Sequence, residues 1–292
     1  GVGGPMRIRT VLCPIDFSTL DPAEIGVGLE VCRAFGARLV LHHNVAAAEP
    51  GFSRAWEWEK THYGEADRQP EAERHLRTLV ERIGREVRAE GLVTSGPVGA
   101  VVLSLAEQLE ADLVVLGSHG WSTQDHASVT ERLVDESPCP VLTFDGRAGR
   151  PAFRLRTQSG KPLPVVVPTD LTPGSAAAVG YACGLARALP LRLDLLHVID
   201  PAHCGRDAQR NAHAALDAMV PPDLVGRVSS HVRTGPAATA IIEYVAESVP
   251  AFAVLGEHAR GLLRRVLTRD TTREVVHRVG CPVWVVPPGV QL

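Results

Sequence analysis

The sequence predicts an α/β protein built from two copies of one doubly wound domain, each a five-stranded parallel sheet flanked by helices. Three observations predict it. Landmark blocks recur in the same order along the 292 residues. Short β-branched runs alternate with longer helical patterns within each copy, which is the rhythm of a parallel sheet. The length is about twice that of an ordinary domain.

The repeat is direct. Val11-Leu12-Cys13-Pro14-Ile15-Asp16-Phe17-Ser18 returns as Val165-Val166-Val167-Pro168-Thr169-Asp170-Leu171-Thr172, and Arg38 to His43 returns at the same offset as Arg192 to His197. Gly96-Pro97 and Gly235-Pro236 each stand 21 residues before a Leu-Gly pair that ends in Gly117 and Gly256. Both copies close on Cys-Pro-Val, at Cys139 to Val141 and Cys281 to Val283. The expected domains are residues 6–146 and 164–290, joined by a linker over 147–163 whose Gly and Pro content breaks regular structure. In the first copy the strands are expected at about 9–15, 38–45, 92–95, 112–117 and 140–144, and the helices at roughly 22–35, 70–90, 97–109 and 128–136. Near-continuous apolar strands read as covered on both faces. Doubly wound sheets take ligands outside the carboxyl ends of the strands, where strand order reverses, so Asp16 and Gly117 are the places to look.

Composition excludes several classes. Apolar residues make up 45% of the chain and charged residues 22%, which is neither a disordered nor a collagen-like composition. All but Lys60 and Lys161 of the 30 basic residues are arginines, but the net charge of -3 supplies no broad basic field for nucleic acid. No apolar run approaches the roughly 18 residues of a membrane span. Gly1 to Pro5 lacks the features of a signal peptide and reads as a tag remnant before Met6, so the expected location is the cytoplasm. The six cysteines form no C-x-x-C pair and read as small, reduced core residues.

Gly117-Ser118-His119-Gly120 follows the Asp112 to Leu116 run and precedes a helix expected near Ser128. Glycines there let backbone amides approach a phosphate, and a helix amino terminus adds about half a positive charge. The same stretch also reads as a plain tight turn. Ser128-Val129-Thr130-Glu131 is a capping box, and a cap hydroxyl can also meet an anion. Asp16 suits an adenine amino group or a ribose hydroxyl, and equally a turn that caps the following helix. Gly160-Lys161 is followed by Pro162 and completes no P-loop, and no G-x-G-x-x-G follows a strand. Neither G-x-S-x-G nor H-E-x-x-H occurs, so hydrolase and zinc-protease chemistry has no foothold.

Both halves resemble universal stress protein domains, and the whole chain resembles a tandem member of that family. The resemblance rests on Val11 to Asp16, His43, Leu113 to Gly120, Ser128 to Glu131 and Pro138 to Leu142 in the first half. In the second it rests on Val165 to Asp170, Leu196 to Asp200, Ala253 to Gly256 and Cys281 to Val283. It implies the adenine-nucleotide alpha hydrolase-like fold and binding of ATP, with or without magnesium. The family's ATP-binding motif is G-x2-G-x9-G-[ST], with an aspartate after the first strand. Carried onto the first half, the implied nucleotide residues are Pro14, Ile15, Asp16, Asn44, Leu116, Gly117, Gly120, Ala127, Ser128 and Val129. The third glycine is Ala127, and six residues rather than nine separate it from Gly120. In the second half the spacing is kept, but Ala259, Arg269 and Asp270 replace the second glycine, third glycine and serine. A carboxylate there repels phosphate, so that copy is expected to bind no nucleotide, with Asp270 as a helix cap.

His43 and His197 are expected to be buried, hydrogen-bonded core residues. His203, Cys204, Asp207 and His213 carry zinc-type donors but read as a surface segment. Trp56 and Trp58 lie in a polar insertion, Gly51 to Gln69, which reads as a lid, a partner contact or an ordinary loop. No base stands with an aligned nucleophile, so the expected role is regulation or partner binding, with slow ATP hydrolysis at most. Val141 to Phe144 and Val283 to Val286 are expected to pair within the chain as a pseudo-dimer, and a homodimer is the further assembly considered. The alternatives are a stress-related interaction module that binds no nucleotide, and an adenylating enzyme or electron-transfer flavoprotein on a similar sheet. S-G-G-x-D-S and H-I-G-H signatures are missing, which disfavours adenylation.

Overall fold

The structure is a computed structural model, and it describes residues 6–15, 17, 23–45, 68–117, 126–144, 153–157, 159–257 and 269–290. The chain divides into two compact units, the first Arg7–Phe153 and the second containing Arg154–Leu292.

In the first unit β1 (Thr10–Ile15), β2 (Arg38–Val45), β3 (Ala89–Ser95), β4 (Leu113–Gly117) and β5 (Val141–Phe144) alternate with α1 (Ala23–Phe35), α2 (Arg68–Ile83), α3 (Val98–Gln108) and α4 (His126–Glu136). The strands lie in the order β3-β2-β1-β4-β5 and pair in parallel throughout. Every residue of β1 is buried, as the two-sided apolar pattern requires. Asp112 fixes the start of β1 against β4, because one carboxylate oxygen accepts the Arg9 and Thr10 amides at 2.7 and 2.9 Å. Helix α1 stops at Gly36, whose φ of +68° lets the Ala37 amide return to the Cys32 carbonyl at 3.0 Å.

The second unit repeats the order. Strands β6 (Leu163–Pro168), β7 (Leu191–Ile199), β8 (Val228–Thr234), β9 (Phe252–Gly256) and β10 (Val283–Val286) alternate with α5 (Pro173–Ala188), α6 (Arg206–Ala218), α7 (Ala237–Ser248) and α8 (Arg269–Arg278). The parallel order is β8-β7-β6-β9-β10. Its core packs Trp284 of β10 between Phe252 and Tyr181, with ring centroids 5.5 and 6.1 Å away.

Three boundaries differ from those expected. Helix α2 ends at Ile83 rather than near 90, and β3 starts at Ala89 rather than 92. The stretch 84–91 is polar and reads as helix, but Gly84 closes α2 onto the Val80 carbonyl, and β2 captures Arg88 and Ala89 as ladder partners. Edge position explains the polarity, since β3 is half exposed. Helix α4 starts at His126, so Ser128 lies inside its first turn rather than before it.

Gly91 is where α2 meets the edge strand. A Cβ there would lie 2.7 Å from Leu76 Cγ and 3.1 Å from a Val80 methyl. Gly91→Ala is therefore expected to destabilise the protein by about 1–2 kcal/mol through overpacking, despite alanine's better strand propensity. Guanidinium unfolding measures this, and an unchanged or raised midpoint contradicts the packing.

Candidate functional site

The candidate site is the carboxyl edge of the first sheet, where β1 and β4 part. Register joins Val11 to Leu113 and Leu12 to Val114 and goes no further, whereas β1 stays paired with β2 as far as Ile15 and His43. Pro14 brings no N–H with which to extend a ladder. Continuing the register places Pro14 and Ile15 level with Leu116 and Gly117. Ile15 and Leu116 are buried, and Gly117 is half-buried. Val129, half-buried, lies in the first turn of α4 with Ala127 and Ser128. Asp16 and Gly120 lie outside the described residues, as do Ala259, Trp56 and Trp58.

Two neighbouring histidines shape this edge differently. His43 Nδ1 donates to the Ile15 carbonyl at 3.1 Å, and the Phe17 ring lies 4.2 Å from the imidazole. The second unit repeats the bond, with His197 Nδ1 donating to the Thr169 carbonyl at 2.9 Å. Buried, hydrogen-bonded histidines were expected at both positions; His43 is buried, whereas His197 is half-buried, and each bonds a carbonyl at the end of its unit's first strand. His42, which sequence reasoning passed over, is fully buried, and its Nε2 lies 2.7 Å from the Thr94 hydroxyl. Thr94 donates to Asn44 Oδ1 at 3.1 Å, and Asn44 Nδ2 donates to the Gly96 carbonyl at 3.0 Å. Burial, with a smaller contribution from His43, pushes the His42 pKa down to about 4. The available signal was two polar residues at strand spacing, His42 and Asn44, following the apolar run Leu39 to Leu41.

The second unit has the same edge but satisfies it internally. Asp170, buried, accepts the Thr172 amide at 3.0 Å and the Thr172 hydroxyl at 2.6 Å. Thr169 and Ser175 hydroxyls meet at 2.8 Å, and Leu171 turns at φ +63°. Gly256, the counterpart of Gly117, is buried. A Cβ on it would lie 3.4 Å from Ala178 Cβ, the Gly174 carbonyl and Ser175 Cα, so α5 already occupies that approach. Arg269 and Asp270 open α8, placing Asp270 within the helix rather than ahead of it.

The zinc-type residues do not converge. Asp207 pairs with Arg210, and Cys204 Sγ lies 3.3 Å from the Thr234 hydroxyl. Among the described residues no group of three or more His, Cys, Asp or Glu side chains is placed to hold a metal ion. None of the six cysteines is in a disulfide, but only Cys13, Cys32, Cys139 and Cys183 are core residues. Cys204 is exposed and Cys281 half-buried. No described helix is long and apolar enough to cross a membrane.

Two outcomes follow. Burial drives the Cys32 thiol to about 12 and those of Cys139 and Cys183 to about 11. A thiol reagent at pH 8 is expected to modify Cys204 and Cys281 in native protein and the other four only after unfolding. Rapid native labelling of Cys32, read by peptide mass, contradicts this. For His42 the folded pKa lies below the unfolded value of about 6.5, so stability is complete above pH 6.5 and declines as pH falls toward 4. The decline is up to about 1.4 kcal/mol per pH unit. Denaturant unfolding at pH 7 and pH 4.5 is expected to show a smaller loss for His42→Gln than for the wild type. Equal losses contradict it.

The chain matches the profile of the Universal stress protein family over residues 7–144 and 163–287. A universal stress protein of Synechocystis is 27% identical over 148 residues, 48% of this chain and 87% of that protein. A universal stress protein from Archaeoglobus fulgidus superposes with a TM-score of 0.70 at 18% identity, covering 97% of both chains. A universal stress protein in complex with cAMP and an Arabidopsis thaliana family member with AMP bound each match 48% of this chain, covering 98% and 93% of theirs. Their identities are 18% and 16%, with TM-scores of 0.36 and 0.35. With two segments matched in one chain, each folded as a parallel sheet of the same strand order, this protein belongs to the universal stress protein family as a tandem member.

Proposed function

We propose that the first unit binds ATP or a related adenine nucleotide at its β1–β4 edge, and that the second unit binds none and serves as structural partner. The observation that carries this reading is the difference between the two equivalent glycines. Gly117 is half-buried at the end of β4, whereas Gly256 is buried beneath the first turn of α5. A phosphate needs backbone amides it can reach, so only the first edge offers them.

Pro14, Ile15, Asp16 and Asn44 would hold the base and ribose side. Leu116, Gly117, Gly120 and the first turn of α4, with Ala127, Ser128 and Val129, would hold the phosphates, with magnesium as counter-ion. A phosphate cradle gives affinity without transition-state chemistry, so the nucleotide acts as a regulatory ligand of a cytoplasmic stress-response protein rather than as a substrate. Assembly as a homodimer belongs to the same reading. The shortened loop, with Ala127 in the place of a glycine, favours one other reading, a protein-interaction module that binds no nucleotide.

Magnesium-ATP at millimolar concentration is expected to raise the melting temperature of the full chain, because a ligand held only by the native state stabilises it. Ser128→Asp sets a carboxylate against the phosphates and is expected to weaken binding at least about tenfold by titration calorimetry. No shift with ATP selects the interaction module. Undiminished binding by Ser128→Asp removes the assignment of the phosphates to the first unit.

A further inference from the structure

One face of the second unit's sheet carries a cluster of titratable side chains against α7. Asp194 of β7 is buried, and Arg192 Nη1 donates to its Oδ1 at 3.2 Å. His231 of β8 turns Nε2 toward the same oxygen from 3.8 Å, beyond hydrogen-bond reach. That nitrogen is buried and has no hydrogen-bond partner among the described residues, although the side chain as a whole is 38% exposed and so open to protons from water. From α7 the Tyr244 ring lies 5.3 Å from the imidazole, and Glu247 holds Arg233 at 2.6 Å with its guanidinium 5.3 Å from the Tyr244 ring centroid. Helix α6 meets the opposite face, where Asp217 accepts the Ser230 hydroxyl at 2.6 Å.

The first copy is apolar at the same places. Ladder register sets Val40 and Leu92 at the positions of Asp194 and His231, and Leu105 and Tyr244 each follow their Gly-Pro pair by eight residues. Exchanging apolar side chains for buried polar ones costs stability unless each polar atom finds a partner. A proton supplies the missing one. It gives the imidazole an N–H on both nitrogens and a positive charge, so Nε2 becomes a charged donor facing a buried carboxylate. Side-chain movement of about 1 Å then closes a charge-assisted hydrogen bond. Around the ring the charges of Arg192 and Arg233 stand against those of Asp194 and Glu247, and Asp194 is the one aimed at Nε2. Arg192 does not pre-empt it, because its side chain is 49% exposed and its charge is screened by water. Burial, followed by the charge of Asp194, pushes the Tyr244 phenol up to about 12, so that group stays neutral in mild acid.

We propose that His231 and Asp194 form a proton-operated latch between β8 and β7, open while the imidazole is neutral and closed as an ion pair once mild acid protonates it. Strand β8 is the edge of its sheet and is laddered to β7 alone, so a second link there tightens the least supported strand of the unit. Histidine is the side chain whose charge changes between about pH 5 and 8. The folded chain offers the imidazolium a carboxylate that the unfolded chain does not, so the contribution is present in mild acid and is lost as pH rises. This sign is opposite to that of His42, whose burial disfavours the proton. The latch needs nothing from the nucleotide site.

Hydrogen exchange of the full chain, read on peptides covering Val228–Thr234, tests it. His231→Gln keeps a polar side chain that takes no proton, and comparing it with the wild type at equal pH cancels the intrinsic exchange rate. The ratio of wild-type to variant protection is expected to be about threefold to tenfold larger at pH 5.5 than at pH 7.5, the worth of a charge-assisted bond discounted for a partly exposed imidazole. Peptides covering Ala89–Ser95 are expected to show no such change. In an Asp194→Asn background the same substitution is expected to have no pH-dependent effect. A ratio that does not change with pH overturns the latch, and a gain that survives Asp194→Asn overturns Asp194 as its partner. In the wild type, carbon shifts of the Asp194 carboxylate are expected to move in step with the His231 imidazole shifts between pH 8 and pH 5. A carboxylate signal that ignores the imidazole overturns the pairing, whether or not the variants fold.

Discussion

The short ladder between β1 and β4 is the constraint on which the rest depends. Parallel pairing forces all strand carboxyl ends to one edge, and β1 is where the chain turns from winding one way to winding the other. Asp112 clamps the start of that pair, and two registered residues later the ladder stops at Leu12 and Val114. Beyond it Pro14 leaves an interrupted edge, with β2 holding β1 from the far side. The interruption of the ladder is therefore a consequence of backbone chemistry in the middle of a buried sheet, and side chains decide what surrounds it.

The two copies decide that differently. In the second, Asp170, Thr172, Thr169 and Ser175 consume one another's hydrogen-bonding capacity, and α5 closes over Gly256. A site whose polar groups are already paired gains little by exchanging them for a ligand. In the first copy the counterparts of Asp170, Thr172 and Ser175 are Asp16, Ser18 and Asp21, which lie outside the described residues, and the described polar groups of β2 and β3 there are the hydrogen-bonded set His42, Thr94 and Asn44. On the proposed reading, divergence at a few edge residues separates a binding unit from a supporting one without altering strand order.

Much of this was legible in the sequence. Apolar β-branched runs at Val11 and Val165 marked strands buried on both faces, and the repeat offset marked the duplication. The histidines near the ends of β2 and β7 were both expected in the core; His43 is buried there, whereas His197 is half-buried, and they bond the Ile15 and Thr169 carbonyls. Residues 84–91 were misread because an edge strand need not be apolar and its partner, Arg38 to Val45, lies far away in sequence. Asp270 and Ser128 were placed ahead of their helices because a capping pattern also suits the first turn. Cys204 and Cys281 were grouped with the core cysteines because composition does not register exposure. His42 was overlooked because its role appears only when the ladder brings Thr94 alongside Asn44, a contact 50 residues apart in the chain.

The most direct measurement is electron density from crystals of the full chain grown with magnesium-ATP. The account predicts one nucleotide per chain, its purine beside Ile15 and Asn44 and its phosphates toward Gly117 and the start of α4. A nucleotide at the Gly256 edge, or a first-unit edge filled by its own side chains, would contradict it.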